Sequence, residues 1–171
     1  MTASDSGDMT SLTETLSEMV AVAGSYCQLI DKALAVPERS LEHLFLLMPR
    51  LHSAVTSLNT YDTGDVPLCD VDLDERFELY SHLRRLLGER DGYWLEFDAA
   101  PGEIHMSGSL ADDLTDIYFD LRYGLQLLDD VWPQRAAQVW QSTYRVHWGQ
   151  HLVDAERHLY ALKVRNLLVL N

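Results

Sequence analysis

Three of the seven histidines in this 171-residue chain stand in one row with an aspartate. His147, His151, Asp154 and His158 follow one another at +4, +3 and +4. At about 100° per residue these four positions fall within about 40° of one another on a helix. A histidine pair one turn apart can chelate a single divalent ion, because both imidazoles leave the same face. A second set lies upstream: Asp112, Asp113, Asp116 and Asp120. The last three are spaced +3 and +4 and flank an apolar stripe of Leu110, Leu114, Ile117, Leu121, Leu125 and Leu128. Carboxylates there can supply oxygen ligands or accept hydrogen bonds from imidazole. Ala136, Trp140, Tyr144, Ala155 and Leu162 share the side of the histidine row, and Arg145, Gly149, Glu156 and Lys163 fall opposite. The row therefore reads as a buried face, an unusual place for three histidines. Trp140 and Trp148 are expected to pack beside it in the core.

Two helices must carry these sets. The first begins at Ser109, an N-cap with Asp112 in the first turn, and runs to about Leu128. Asp129–Trp132 form a turn, and Pro133 suits the first position of a long helix reaching into the 160s. A connection that short makes the pair antiparallel neighbours. With the turn centred near Val131 and equal rise along both helices, Asp116 lies level with Val146–His147, and Asp112–Asp113 with Gly149–His151.

Three readings of the cluster stand side by side. Buried His–Asp pairs can be hydrogen-bonded solely to fix helix register. A divalent metal can be held by His147, His151, Asp154, Asp113 and Asp116, as in metal sites inside helical bundles, although no Glu-x-x-His motif is present. Alternatively, a histidine tuned by a neighbouring aspartate can do metal-free acid–base work, but neither a nucleophile beside it nor a Gly-rich phosphate loop accompanies it.

The rest of the chain reads as a scaffold. Leu12 to Leu34 recur at helical intervals behind a Ser11/Glu14 capping box, and Pro37 ends that helix. A second helix from about Ser40 to Leu58 contains Pro49, where a kink or break is expected. Asn59–Cys69 is a loop, and a third helix carries Phe77, Tyr80, Leu83 and Leu87 to Gly88. Asp91–Ser107 is irregular, and Tyr93–Phe97 suggests a short strand or an aromatic plug. The expected fold is all-α: a bundle of about five main helices, with a long C-terminal antiparallel hairpin and an irregular aromatic segment before it. Residues 1–9 read as a disordered tail and 10–171 as one domain.

Composition narrows the partners. The formal net charge of −14 disfavours nucleic acid and anionic membranes, which repel such a chain, and leaves room for a basic protein partner or a cation. No run approaches the roughly 18 apolar residues of a membrane span, and the polar start has no signal-peptide pattern. A cytoplasmic protein is expected. Cys27 and Cys69 form no ligand-spaced pair, and His43, His52, His82 and His105 stand singly, each suited to a surface or local hydrogen-bonding role.

The quoted residues also carry a family resemblance. Ser109-Leu110-Ala111-Asp112-Asp113-Leu114, Asp116-Ile117-Tyr118, Asp120-Leu121, His147-Trp148-Gly149-x-His151 and Asp154-Ala155, with Tyr93-Trp94 and Phe97-Asp98, resemble a bacterial family termed domain of unknown function 5063. The resemblance implies a bacterial, cytoplasmic, mainly helical protein and transfers no activity, cofactor or substrate. The function expected is that of a non-enzymatic binding or regulatory protein. The alternative is a divalent-metal-dependent hydrolase or oxidase using the cluster.

Overall fold

The computed structural model describes residues 5–33, 39–58, 71–95, 107–129 and 132–170, with side chains in the first helix from residue 14 onward. These residues form six α-helices: α1 (Asp5–Ala33), α2 (Ser40–Ser57), α3 (Leu73–Leu87), α4 (Leu110–Asp129), α5 (Pro133–Thr143) and α6 (Gly149–Val164). A π-helical segment, Tyr144–Trp148, joins α5 to α6 in one continuous rod. Counting that rod as one element, the chain is the all-α bundle of five main helices that its periodicities predict.

α1 and α2 form the apolar half of the bundle. Met19, Val22, Ala23, Tyr26 and Ile30 of α1 recur every three or four residues and are buried, as are Leu41, Leu44, Met48, Leu51 and Val55 of α2. α2 runs unbroken through Pro49, so of the kink or break expected there the break does not occur. α1 is helical from Asp5, upstream of the Ser11 start. α3 is capped by Asp72, whose carboxylate accepts from the backbone of Asp74 and Glu75, and it stops at Gly88 in the left-handed region (φ 55°). Pro37, the loop at 59–69 with Cys69, and the stretch 97–105 with Phe97, Asp98, Pro101, Gly102 and His105 lie outside the described residues.

α4 is the axis of the molecule, packing on α1, α3, α5 and α6. From Leu110 to Leu121 every residue except Asp112 is buried. A helix enclosed on all sides is normally apolar on all sides. This one carries Asp113, Asp116 and Asp120 at 4%, 8% and 5% exposure, so each needs a partner from a neighbouring helix.

The irregular segment supplies a small antiparallel ladder, β1 (Gly92–Tyr93) with β2 (Gly108–Ser109), pairing Tyr93 with Gly108. The Tyr93 ring lies across Gly108 so closely that any Cβ there would strike it. Ser109 then caps α4, its Oγ accepting from Asp112 N at 3.3 Å. Among the described residues no helix is long and apolar enough to cross a membrane.

Candidate metal centre

The aspartates of α4 and the histidines of the α5–α6 rod do meet. His147 Nδ1 lies 2.7 Å from Asp120 Oδ2, and His151 Nδ1 lies 2.9 Å from Asp113 Oδ1. Asp116 Oδ2 sits 3.3 Å from His151 Nε2. The pairing of Asp113 with His151 follows the ideal hairpin. The pairing of His147 does not, since it meets Asp120 rather than Asp116, one turn nearer the hairpin. His147 lies within the π segment, where the uniform α-helix that the ideal hairpin assumes does not hold. Side chains on a helix also lean toward its N-terminus, which for α6 is the hairpin end.

On His147 the carboxylate beside Nδ1 places the N–H there and leaves the Nε2 lone pair for a ligand. On His151 both nitrogens face carboxylates, and Nε2 becomes a ligand once an ion takes the place of its contact with Asp116. Asp116, His147 and His151 each then offer one ligand atom, all within 4.8 Å of one another. An ion bound at the usual ~2.0–2.2 Å would want its donors roughly 3–3.5 Å apart, so the set must close modestly. His147, 46% exposed, is the arm free to swing inward.

Every one of these three groups is held from behind. Asp120, beside Thr143, holds His147. Asp113 holds His151, and its other oxygen accepts from the Tyr93 hydroxyl at 2.5 Å. Arg76 of α3 holds Asp116, donating to Oδ1 from Nε at 2.8 Å, and its Nη2 reaches Asp112 at 3.0 Å. Such outer partners fix ligand orientation in metal sites. They also shape the titration of the site. Burial pushes Asp113 and Asp120 above the usual carboxylate range, against the pull of their imidazole partners. The hydrogen bond that His151 donates to Asp113, with Asp116 at the other nitrogen, raises the pKa of His151 despite its burial.

The remaining residues of the row go elsewhere. Asp154 accepts from Gln150 Nε2 at 2.8 Å and pairs with Arg157 at 3.6 Å, and it is not among the converging ligand atoms. Asp113 spends both oxygens on His151 and Tyr93, which leaves it as a support for the ligand set. Asp112 faces Arg76 at the rim. His158 is buried, its Nε2 on the Arg90 carbonyl at 2.7 Å and its ring stacked on Tyr93. Burial holds its pKa below the ordinary histidine value. Trp140 and Trp148 are fully buried, bonded to Leu121 O and Thr143 Oγ1 respectively. Tyr144 turns the other way, toward His52 of α2, which also meets Glu156. Glu156 therefore faces α2, although its helical phase places it opposite the histidine row.

Two participants escaped the sequence reading. Arg76 is the one basic residue between Asp70 and Glu78, a solitary positive charge in an acidic run, and that was its only signal. Tyr93 belongs to a segment without periodicity, and only the strand ladder places it over Asp113.

Comparison with known proteins agrees with this architecture. The model of the family described as Domain of unknown function (DUF5063) matches residues 10–165. The chain belongs to that family. A crystal structure of protein BF1032 from Bacteroides fragilis, a Northeast Structural Genomics Consortium target, is similar in fold. It is 24% identical, with a TM-score of 0.72 over 87% of this chain and 92% of that one. No curated protein matches. The matched residues include both helices of the cluster as well as α3, which carries Arg76.

Proposed function

We propose that this protein binds one divalent transition-metal ion between α4 and the α5–α6 rod, through Asp116, His147 Nε2 and His151 Nε2. The observation that carries the reading is the layered support: each of three converging donors has its own partner behind it, a buried carboxylate for each imidazole and a guanidinium for the carboxylate. Two histidines and one carboxylate suit Zn, Mn, Fe, Co or Ni rather than calcium, which prefers oxygen throughout. Asp116 comes from α4 and the two histidines from the α5–α6 rod, and no fourth His, Cys, Asp or Glu joins them among the described residues. The open positions would carry water or substrate, the arrangement of a catalytic ion rather than a structural one. A metal-dependent hydrolase or oxidase is thus the activity class favoured. We place it in the cytoplasm, where a buried unpaired thiol such as Cys27 stays reduced.

A second reading has its own observation. Among the described residues no buried side-chain nitrogen or oxygen lacks a partner, so the cluster is satisfied without an ion and can act purely to fix register. Metal analysis of the purified protein, followed by melting with added Zn, Mn, Fe or Ni, separates the two. The metal reading expects stoichiometric ion and a rise in melting temperature that His147→Ala/His151→Ala abolishes. No bound ion and no shift with any of the four would leave the register network as the function of these residues.

A further inference from the structure

Resting on that metal reading, we propose that the ligand recruited to the ion is a small oxyanion group, a carboxylate or phosphate, gripped jointly by the metal and Arg76. Arg76 uses Nε and Nη2 on Asp116 and Asp112, and its Nη1 has no acceptor among the described residues. The Arg76 side chain as a whole is 30% exposed. It shares Asp116 with the ion: Oδ1 goes to Arg76, and Oδ2 faces the histidines. A metal on Oδ2 therefore stands within a few ångströms of the guanidinium. One oxygen of a bound anion can take an open metal position while another accepts from Nη1. Lysine at position 76 would supply charge without that fork.

The carboxylates of Asp112, Asp113, Asp116 and Asp120 outweigh Arg76 and a divalent ion by one charge, four against three, so the grip on an anion comes from direct contact and not from the local field. Beyond about 8 Å the other charges of the protein are largely screened. Asp112 and Asp116 are already paired with Arg76, and Asp113 and Asp120 lie behind the histidines. An approaching oxyanion meets the ion and the guanidinium first. The site is separate from the groove of about 320 Å³ lined by residues of α1 and α2, with which it shares no residue. The grip falls on one oxyanion group, free or at the end of a larger molecule.

The experiment uses the full chain loaded with Co²⁺, whose visible absorption reports its ligands. Binding of Co²⁺ by itself tests the metal reading. At saturating Co²⁺, oxalate and inorganic phosphate are titrated separately, and the proposal expects at least one to shift the spectrum saturably. Preference between them identifies carboxylate or phosphate as the recognised group. Arg76→Gln and Arg76→Lys, each measured at its own saturating Co²⁺, should weaken anion binding by about 10-fold or more and by a smaller factor, respectively. If Co²⁺ binds and neither anion perturbs it, or if Arg76→Gln binds the anion as tightly as the parent, the proposal is overturned while the metal site stands. If Co²⁺ does not bind at all, the metal reading has failed first.

Discussion

One helical face carries two different environments. His147 and His151, at the hairpin end of the row, point at the aspartates of α4, whereas Asp154 and His158, one to two turns further on, face Arg157, Arg90 and the Tyr93 ring. Spacing alone makes the four residues equivalent. What separates them is the opposing surface, a carboxylate-bearing helix at one end and an aromatic ladder with a backbone carbonyl at the other. A metal ligand needs an idle nitrogen backed by a fixed proton acceptor, and His147 fits that description. His151 offers the same once an ion displaces the contact of its Nε2 with Asp116. His158 spends Nε2 on a carbonyl and behaves as a core residue.

The largest difference expected between the two ends is in metal affinity. His151→Ala should weaken ion binding by about 100-fold or more, and His158→Ala should leave it within about 3-fold, measured by competition with a chelating dye. The outcome that breaks the comparison is equal loss in both variants. Stability should show the reverse pattern in the absence of metal. His158→Ala removes a buried stacked ring and strands the Arg90 carbonyl, at a cost of about 2–4 kcal/mol in denaturant unfolding. At the hairpin end, His147→Leu with Asp120→Leu should be tolerated better than Asp120 left alone with His147→Leu, because only the single change strands a buried carboxylate. The pair to test is His147 with Asp120; the ideal-hairpin geometry had pointed to Asp116.

Tyr93→Phe joins the two ends, since the ring stacks on His158 while the hydroxyl holds Asp113. It should reduce metal affinity by roughly 10-fold, the range for an outer partner, while costing only about 1 kcal/mol of stability. A stability loss with unchanged affinity would assign Tyr93 to the core alone.

The smallest effects expected are slopes with pH in the metal-free protein. His151 is raised by Asp113, so its contribution is present below the ordinary histidine value of ~6.5 and is lost as pH rises through its folded value. His158 is lowered by burial, so its contribution is present above ~6.5 and is lost as pH falls toward its folded value. Removing His151 should flatten the alkaline side of the melting-temperature profile, and removing His158 the acidic side. Identical profiles for the two variants would contradict the distinction between the ends.

Much of this arrangement was legible beforehand. The periodicities of α4 and of the final rod, with a short turn between them, by themselves put aspartates opposite histidines. Ser109 and Pro133 marked the helix starts correctly because capping is local chemistry. The details lost were those set by tertiary context. The π segment, within which His147 lies, leaves no compositional mark in Tyr144–Trp148. Burial of α4 on every side, which makes its aspartates demand partners, follows from four neighbouring helices rather than from its own pattern. Arg76 reaches the site across a distance of 36 to 40 residues in sequence, and Tyr93 through a ladder of two residues per strand. Neither kind of contact is periodic, so neither could be read from spacing.

Asp116, His147 and His151 are proposed to hold one metal ion. Anomalous diffraction at the absorption edge of the metal, from crystals of the protein loaded with Zn²⁺ or Co²⁺, tests it most directly. The account predicts one strong peak between α4 and α6, about 2.0–2.2 Å from His147 Nε2, His151 Nε2 and an oxygen of Asp116, with Asp113 and Asp120 still on the Nδ1 atoms. A loaded protein whose peak lies elsewhere, or whose histidines keep only their aspartate partners with no ion between them, would contradict it.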